Sequence, residues 1–226
     1  MVNFVDKADN HVTIRHVLIS VSDKSALEDL IPGLLSINPQ IHLYSTGGTY
    51  KRIAEILGPE MAAEHLIPVA AYTGQPETQG GLVKTLDFKI YLGLLTETYN
   101  DAHQADLART EAVPLDMVVV NLYPFATTVA QEGVTVEQAR ANIDIGGPCM
   151  LRAAAKNYLR VVPVVNPADY GALVSALRHG NGTLDMVTRF AYARKAFAHT
   201  AAYDAAIATY LQTQDPSRVP DAYTLA

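Results

Sequence analysis

His16-Val-Leu-Ile-Ser-Val-Ser22, followed at once by Asp23-Lys24-Ser25, decides the fold. The first seven residues form a short apolar run rich in β-branched side chains, which predicts a buried strand. Asp23 then opens a helical pattern over residues 25–36, with Leu27, Leu30, Ile31, Leu34 and Leu35 spaced to share one face. Pro32 is placed to kink or shorten it. The same alternation recurs outward along the chain. Residues 41–44 predict a second strand, 45–49 a turn, and 50–57 a helix closed by Gly58. Residues 117–122 and 160–165 predict two further strands, with helices over 135–142 and 167–178. Strands alternating with helices imply an α/β fold: a doubly wound, mostly parallel sheet flanked by helices. Residues 183–211 read as almost wholly helical, in one helix or in two broken near His199-Thr200, with Phe190, Ala193, Phe197, Ala201 and Ile207 as the apolar stripe. The expected domain is 15–211, with a core sheet over about 15–165 and a helical part over about 167–211. Residues 1–14 and 212–226 are expected as loosely ordered ends, the second extended around Pro216 and Pro220.

Composition limits the function. A chain of 226 residues, 49% hydrophobic and 18% charged, suits one soluble domain with a substantial core. The net charge is −6 with both signs interspersed, so no basic face for nucleic acid is expected, and an anionic ligand needs local cations and helix starts. No apolar run approaches the ~20 residues of a membrane span. Seven scattered His show no metal-ligand spacing, so no metal is expected. The single Cys149 excludes an internal disulfide and is expected as a small core residue. With no signal-like segment, the expected location is cytoplasmic.

Several polar clusters fall at or after strand ends, where parallel sheets bind ligands. Ser45-Thr46-Gly47-Gly48-Thr49 offers hydroxyls and backbone N–H groups at a helix start, suited to a phosphate, or is an ordinary capped helix. It matches neither a Walker A loop nor GxGxxG. Ser20, Ser22 and Lys24 add donors and a charge to the same anion, or Lys24 faces solvent. Tyr72-Thr-Gly-Gln-Pro-Glu-Thr-Gln-Gly-Gly81 is a turn-rich loop, after which Lys84 is either a solvent-facing strand residue or a placed charge. Tyr123, ahead of Pro124 and so held extended, is a rim aromatic or a site residue. Asp144 precedes Ile145, Gly146, Gly147 and Pro148, where it is either a helix cap or a carboxylate built into a site.

Eight segments appear in one order: Ser20-Val-Ser-Asp-Lys, Ser45-Thr-Gly-Gly-Thr, Tyr72-Thr-Gly-Gln-Pro-Glu, Val83-Lys-Thr-Leu, Asn121-Leu-Tyr-Pro-Phe, Asp144-Ile-Gly-Gly, Arg152-Ala-Ala-Ala-Lys-Asn and Lys195-Ala-Phe-Ala-His-Thr-Ala-Ala-Tyr-Asp. Together they resemble the IMP cyclohydrolase domain, the amino-terminal half of the bifunctional purine-synthesis enzyme, over about residues 15–211. The resemblance implies a methylglyoxal-synthase-like α/β fold. It also implies closure of the second purine ring, converting the formylated aminoimidazole carboxamide ribonucleotide to IMP and water. By motif, Asp144 would be the base near the carboxamide, and Lys84, Tyr123 and Lys156 would polarise the formyl oxygen or move protons. Ser22, Lys24 and the 45–49 turn would hold phosphate and ribose, with Ser20, Thr85 and Asn121 also facing substrate. Backbone N–H groups of Ile145, Gly146 and Gly147 would stabilise an oxyanion. No metal or organic cofactor is implied. A homodimer is implied. The chain stops near where the family's transformylase half begins, so the expectation is either a separate formylating enzyme upstream or a chain that is a piece of a longer one.

Three departures cluster around Lys84: Leu82 stands where the family has Arg, Asp87-Phe88 where it has His-Pro, and Tyr91 where it has His. They remove a cation and add a carboxylate, which leaves two expectations, an active but altered enzyme and a nucleotide-binding or regulatory module without turnover. Asp144 and Lys156 are twelve residues apart, about 18 Å along a continuous helix at ~1.5 Å per residue. A direct bond between them is excluded, so the helix starts only at Pro148 or the two act on different parts of the site.

Overall fold

A computed structural model describes residues 4–75 and 84–225. Leu82 and residues 76–81 of the turn-rich loop lie outside the described residues. After β1 (His11–Thr13), the chain forms β2 (His16–Val21), α1 (Leu27–Ile37), β3 (His42–Ser45), α2 (Gly47–His65), β4 (Leu66–Pro68) and α3 (Val69–Thr73). It continues through α4 (Phe88–Leu95), α5 (Asp101–Thr110), β5 (Met117–Asn121), α6 (Phe125–Val129), α7 (Val136–Ala141), α8 (Gly146–Lys156), β6 (Val162–Val164), α9 (Tyr170–His179), β7 (Thr183–Asp185) and α10 (Met186–Gln212).

Five strands form one parallel sheet in the order β4-β3-β2-β5-β6. Both of its faces are covered, which explains the unbroken apolar runs. On one face Val17, Ile19, Val119 and Val164 pack with Leu27, Leu30 and Leu34 of α1 and Leu173 of α9. On the other Leu18, Val118 and Val120 pack with Ile90 of α4, Leu151 and Ala154 of α8, and Ala193 of α10. Each such aliphatic side chain, fully buried, contributes roughly 1.5–3 kcal/mol.

The deviations from expectation have local causes. Helix α1 begins at Leu27 behind Ala26 in the left-handed region (φ 58°) and continues through Pro32. The break foreseen at Gly58 is real (φ 71°), but helix resumes behind it to His65. Residues 183–185, read as helical, form β7 instead. A turn with positive φ at Asn181 and Gly182 aims them at β1, with which β7 pairs antiparallel, so residues 11–13 of the supposedly loose lead-in are strand. Residues of the supposedly extended tail form a 3-10 helix (Pro216–Ala222) capped by Asp215, which accepts from the Ser217 N–H. Cys149 is exposed rather than in the core, because α8 turns Met150, Leu151 and Ala153–Ala155 inward.

Helix α10 is unbroken at His199-Thr200, since the Thr200 hydroxyl is satisfied within the helix by the Phe197 carbonyl. Its inner face keeps Ala193 and, partly buried, Ile207 of the predicted stripe, but otherwise differs from it. Arg189, Ala193, Ala196, Thr200 and Tyr203 are buried, whereas Phe190 and Phe197 are exposed. The small residues let α10 pack closely on Ala153–Ala155 of α8. Arg189 is fully buried and donates to the carbonyls of Asp9, Asn10, Tyr158, Leu159 and Leu184, which satisfies its charge with backbone dipoles. No helix among the described residues is long and apolar enough to cross a membrane.

Candidate active site

The chain winds from β2 outward to β4 and then returns to β5 on the other side of β2. That reversal opens a crevice beyond the carboxyl ends of β2 and β5, where open parallel sheets bind ligands. A cavity of about 520 Å³ lies there. Of the expected residues, Ser20, Ser22, Lys24, Thr46, Gly47, Gly48, Thr49, Lys84, Thr85, Asn121, Tyr123, Asp144, Ile145, Gly146 and Gly147 line it. A second cavity of about 420 Å³ continues past Thr46–Gly48 and Lys84 to Ser45, Tyr50, Val69 and Gln75.

One wall is the start of α2. Gly47 adopts φ 50°, a conformation that side chains resist, and the Lys84 ammonium lies 3.7 Å from where a Cβ on Gly47 would sit. The Lys24 ammonium lies 3.8 Å from the corresponding point on Gly48 and donates to the Ser22 carbonyl at 3.2 Å. Two ammonium groups thus converge on helical N–H groups whose own dipole favours an anion. Lys84 sits in a turn with Thr85, not in a strand, and lines both cavities. Ser20 and Thr46 bring their hydroxyls within 3.5 Å of one another.

Two expected phosphate ligands have other duties. The buried Ser45 hydroxyl donates to the Ile19 carbonyl at 2.8 Å. The Thr49 hydroxyl donates to the Val21 carbonyl at 3.0 Å and accepts from the Val21 N–H at 3.1 Å. Both pin the α2 turn to β2 rather than offer a hydroxyl to ligand. Asn121 likewise clamps the Asp23 peptide, accepting from its N–H and donating to its carbonyl, each at 2.8 Å. It shapes the Ser22–Lys24 bend from beneath.

Asp144 forms the remaining polar wall. Its carboxylate accepts the Gly147 N–H at 2.9 Å, as a capping side chain does, and the Tyr123 backbone also bonds to it. Burial outweighs these bonds and holds its pKa above the ordinary carboxylate value. Cap and desolvated carboxylate are therefore one residue. Gly146 abuts the Thr85 hydroxyl so closely that a Cβ there would collide with it, which brings the Lys84 and Asp144 loops together. Tyr123 is half exposed, its ring at the rim.

Lys156 is not part of this assembly. It is the last residue of α8, exposed, one helix length from Asp144 and absent from the cavity wall. Helix α8 starts at Gly146, so the twelve-residue separation is a spatial one. The departures are also reassigned. Asp87 is buried, caps α4 by accepting the Lys89 N–H at 2.8 Å, and accepts from Gln75 Nε2 at 2.7 Å. It adds no carboxylate to the cavity. Phe88 is exposed on the first turn of α4, and the Tyr91 hydroxyl points at Cys149. Sequence reasoning assigned no role to Tyr203, whose hydroxyl reaches the Asp144 loop from α10; its only signal was membership of the Lys195–Asp204 motif. Among the described residues no group of acidic, His or Cys side chains is arranged to hold a metal.

Residues 27–149 match the family model of the MGS-like domain, and residues 154–226 that of the AICARFT/IMPCHase bienzyme. The chain is 44% identical over 216 residues to the bifunctional purine biosynthesis protein PurH of Magnetococcus marinus, covering 94% of this chain and 39% of that protein. The PurH of Synechococcus elongatus is 45% identical over 200 residues, covering 88% and 38%. The chain thus spans well under half the length of these curated relatives. The crystal structure of ForH shares the fold at a TM-score of 0.73 and 32% identity, over 86% of this chain and 95% of that one.

Proposed function

The chain belongs to the MGS-like domain family, and on that footing we propose that it is an IMP cyclohydrolase acting in purine biosynthesis. The substrate is the formylated aminoimidazole carboxamide ribonucleotide. The carboxamide nitrogen attacks the formyl carbon, giving a ring carbinolamine. Loss of its hydroxyl as water, with the proton of the former formamide nitrogen, leaves the C=N bond of IMP. One observation carries this reading: a desolvated carboxylate and an anion-binding helix start with two ammonium groups line a single cavity.

Lys24 and the N–H groups of Gly47 and Gly48 receive the 5′-phosphate end, with Ser20, Ser22 and Thr46 toward the ribose. Asp144 takes the carboxamide proton. Its raised pKa brings it closer to the basicity that proton transfer needs. Lys84, Tyr123 and Thr85 face the formyl oxygen, and the Ile145–Gly147 backbone adds donors at the start of α8. Both reacting groups belong to one molecule, so holding them in contact removes much of the barrier. Lys156 has no part in this scheme. A homodimer and a cytoplasmic location belong to the proposal, resting on the resemblance and on the single cysteine.

The test is the absorbance change on adding the formylated nucleotide to wild type and to Asp144→Asn. Turnover by wild type, reduced by about 10²–10⁴ in the variant, is expected from loss of a general base. A wild type that leaves the nucleotide unchanged sinks the proposal, and binding without turnover in both proteins marks a regulatory module instead.

A further inference from the structure

The Asp144 loop is held from outside the cavity. The Tyr203 hydroxyl, from the middle of α10, accepts the Asp144 N–H at 2.8 Å and donates to the Asn142 carbonyl at 3.2 Å. Its single proton and a lone pair are thus committed to two peptide groups of one loop. The ring is buried and stands edge-on to Phe125, centroids 6.2 Å apart, just beyond Tyr123-Pro124. One side chain therefore braces both loops that carry the cavity's acid–base groups.

We propose that Tyr203 is a positioning residue that fixes Asp144 at its working depth in the cavity, making the middle of α10 part of the active-site frame. The inference deepens the cyclohydrolase reading and rests on it. Among the described residues the direct partners of the side-chain carboxylate are the Gly147 N–H and the Tyr123 backbone. Those bonds orient it, but they do not set how far residues 142–144 stand from solvent; the two bonds to Tyr203 do. The other ionisable groups around Asp144 are Lys24 and Lys84 across the cavity, the Tyr123 phenol, and Asp204 next to Tyr203 on α10. None of these replaces the bonds from Tyr203. Burial raises the Tyr203 pKa, so the hydroxyl stays neutral and keeps its proton for Asn142.

Tyr203→Phe keeps the ring and removes only the oxygen. The control is Tyr210→Phe, which removes a hydroxyl from the same helix and leaves the ring edge-on to Phe125. In Tyr203→Phe the loop loosens, Asp144 gains water, and its raised pKa relaxes downward. The expected result is a kcat lowered roughly 10-fold or more with KM little changed, since misplacement of a catalytic group by about 1 Å costs up to 10²-fold. The acid limb of the kcat profile moves to lower pH, and Tyr210→Phe matches wild type. A purely structural loss lowers the active fraction at every pH and leaves the limb where it was. The Asp144 carboxyl titration, followed by NMR in both proteins, needs no turnover. If wild type is inactive, the cyclohydrolase reading fails, while the titration still decides what Tyr203 does. An unmoved limb or an unmoved titration overturns the inference.

Discussion

Gly147→Ala puts the site's geometry to a direct test. A Cβ at residue 147 would lie 2.6 Å from Asp144 Oδ2 and 2.6 Å from Leu122 Cδ2, where ordinary contact begins at 3.4 Å. Each neighbour must therefore retreat by about 0.8 Å, the difference between those distances, and misplacements of about 1 Å cost up to 10²-fold in rate. Leu122 is packed in the core beneath. Asp144 is the looser of the two, and its retreat weakens the 2.9 Å bond from the Gly147 N–H. Overpacking of this kind costs about 1–3 kcal/mol. For a domain of this size that lowers Tm by about 2–4 °C per kcal/mol. In the ring-closure assay, kcat is expected to fall roughly 10–100-fold while the protein remains folded at the assay temperature. Circular dichroism melts establish that it is folded. A folded Gly147→Ala protein with wild-type kcat would refute the placement of Asp144 at the reacting atoms, because the methyl group cannot be accommodated without moving it.

Four further outcomes follow from the same contacts. The Asp144 pKa is raised by folding, so stability falls as pH climbs from the ordinary value of 3.8 through the folded value and stays reduced at neutral pH. Asp144→Asn should therefore melt higher than wild type at pH 7, with the gap closing below pH 3.8; a lower Tm at pH 7 would contradict the burial argument. Thr49→Val strips the Val21 peptide of both hydrogen bonds at similar volume, for a loss of about 1–3 kcal/mol in urea denaturation. Asp87→Ala removes a helix cap, costing about 0.5–2 kcal/mol, and should leave KM unchanged; a tighter KM would mean that this carboxylate does repel substrate. Lys156→Ala, at an exposed helix end, should keep kcat/KM within roughly twofold, and a loss of several orders of magnitude would place Lys156 at a reaction centre.

The parts of the fold that were legible in the sequence are those where one physical demand dominates. Met117-Val-Val-Val120 has to be a buried strand because helices cover both faces of the sheet. The polar clusters after β2, β3 and β5 were found because parallel strands deliver their ends to one crevice. Short elements were missed, since β4, α3 and α6 are too brief for a period to show; α4 and α5, of 8 and 10 residues, were missed as well. The stripe of α10 was misread because its buried face carries Arg189 and Thr200, both satisfied by carbonyls, while Phe190 and Phe197 cover Tyr158 and Arg152 from outside. Within the site, residue types were legible but their duties were not. Nothing in Ser45-Thr-Gly-Gly-Thr49 distinguishes Thr46, which faces the cavity, from Ser45 and Thr49, which bond to β2. That division depends on which way each side chain points relative to a strand some 26–28 residues earlier.

Arg189 has a consequence for how this protein can be divided. Its guanidinium gathers carbonyls from residues 9–10, 158–159 and 184, tying the opening residues, the loop after α8 and the approach to α10 into one knot. The two matched family segments meet between residues 149 and 154, inside α8. That seam separates stretches of sequence but not bodies of matter. A cut there would split a helix, part a buried cation from two of its five acceptors, the Asp9 and Asn10 carbonyls, and part Tyr203 from the loop it braces. In physical terms the knot is inherited whole: the carboxyl-terminal segment alone would carry none of the cavity wall, and the other would carry the wall without the Tyr203 that holds its Asp144 loop.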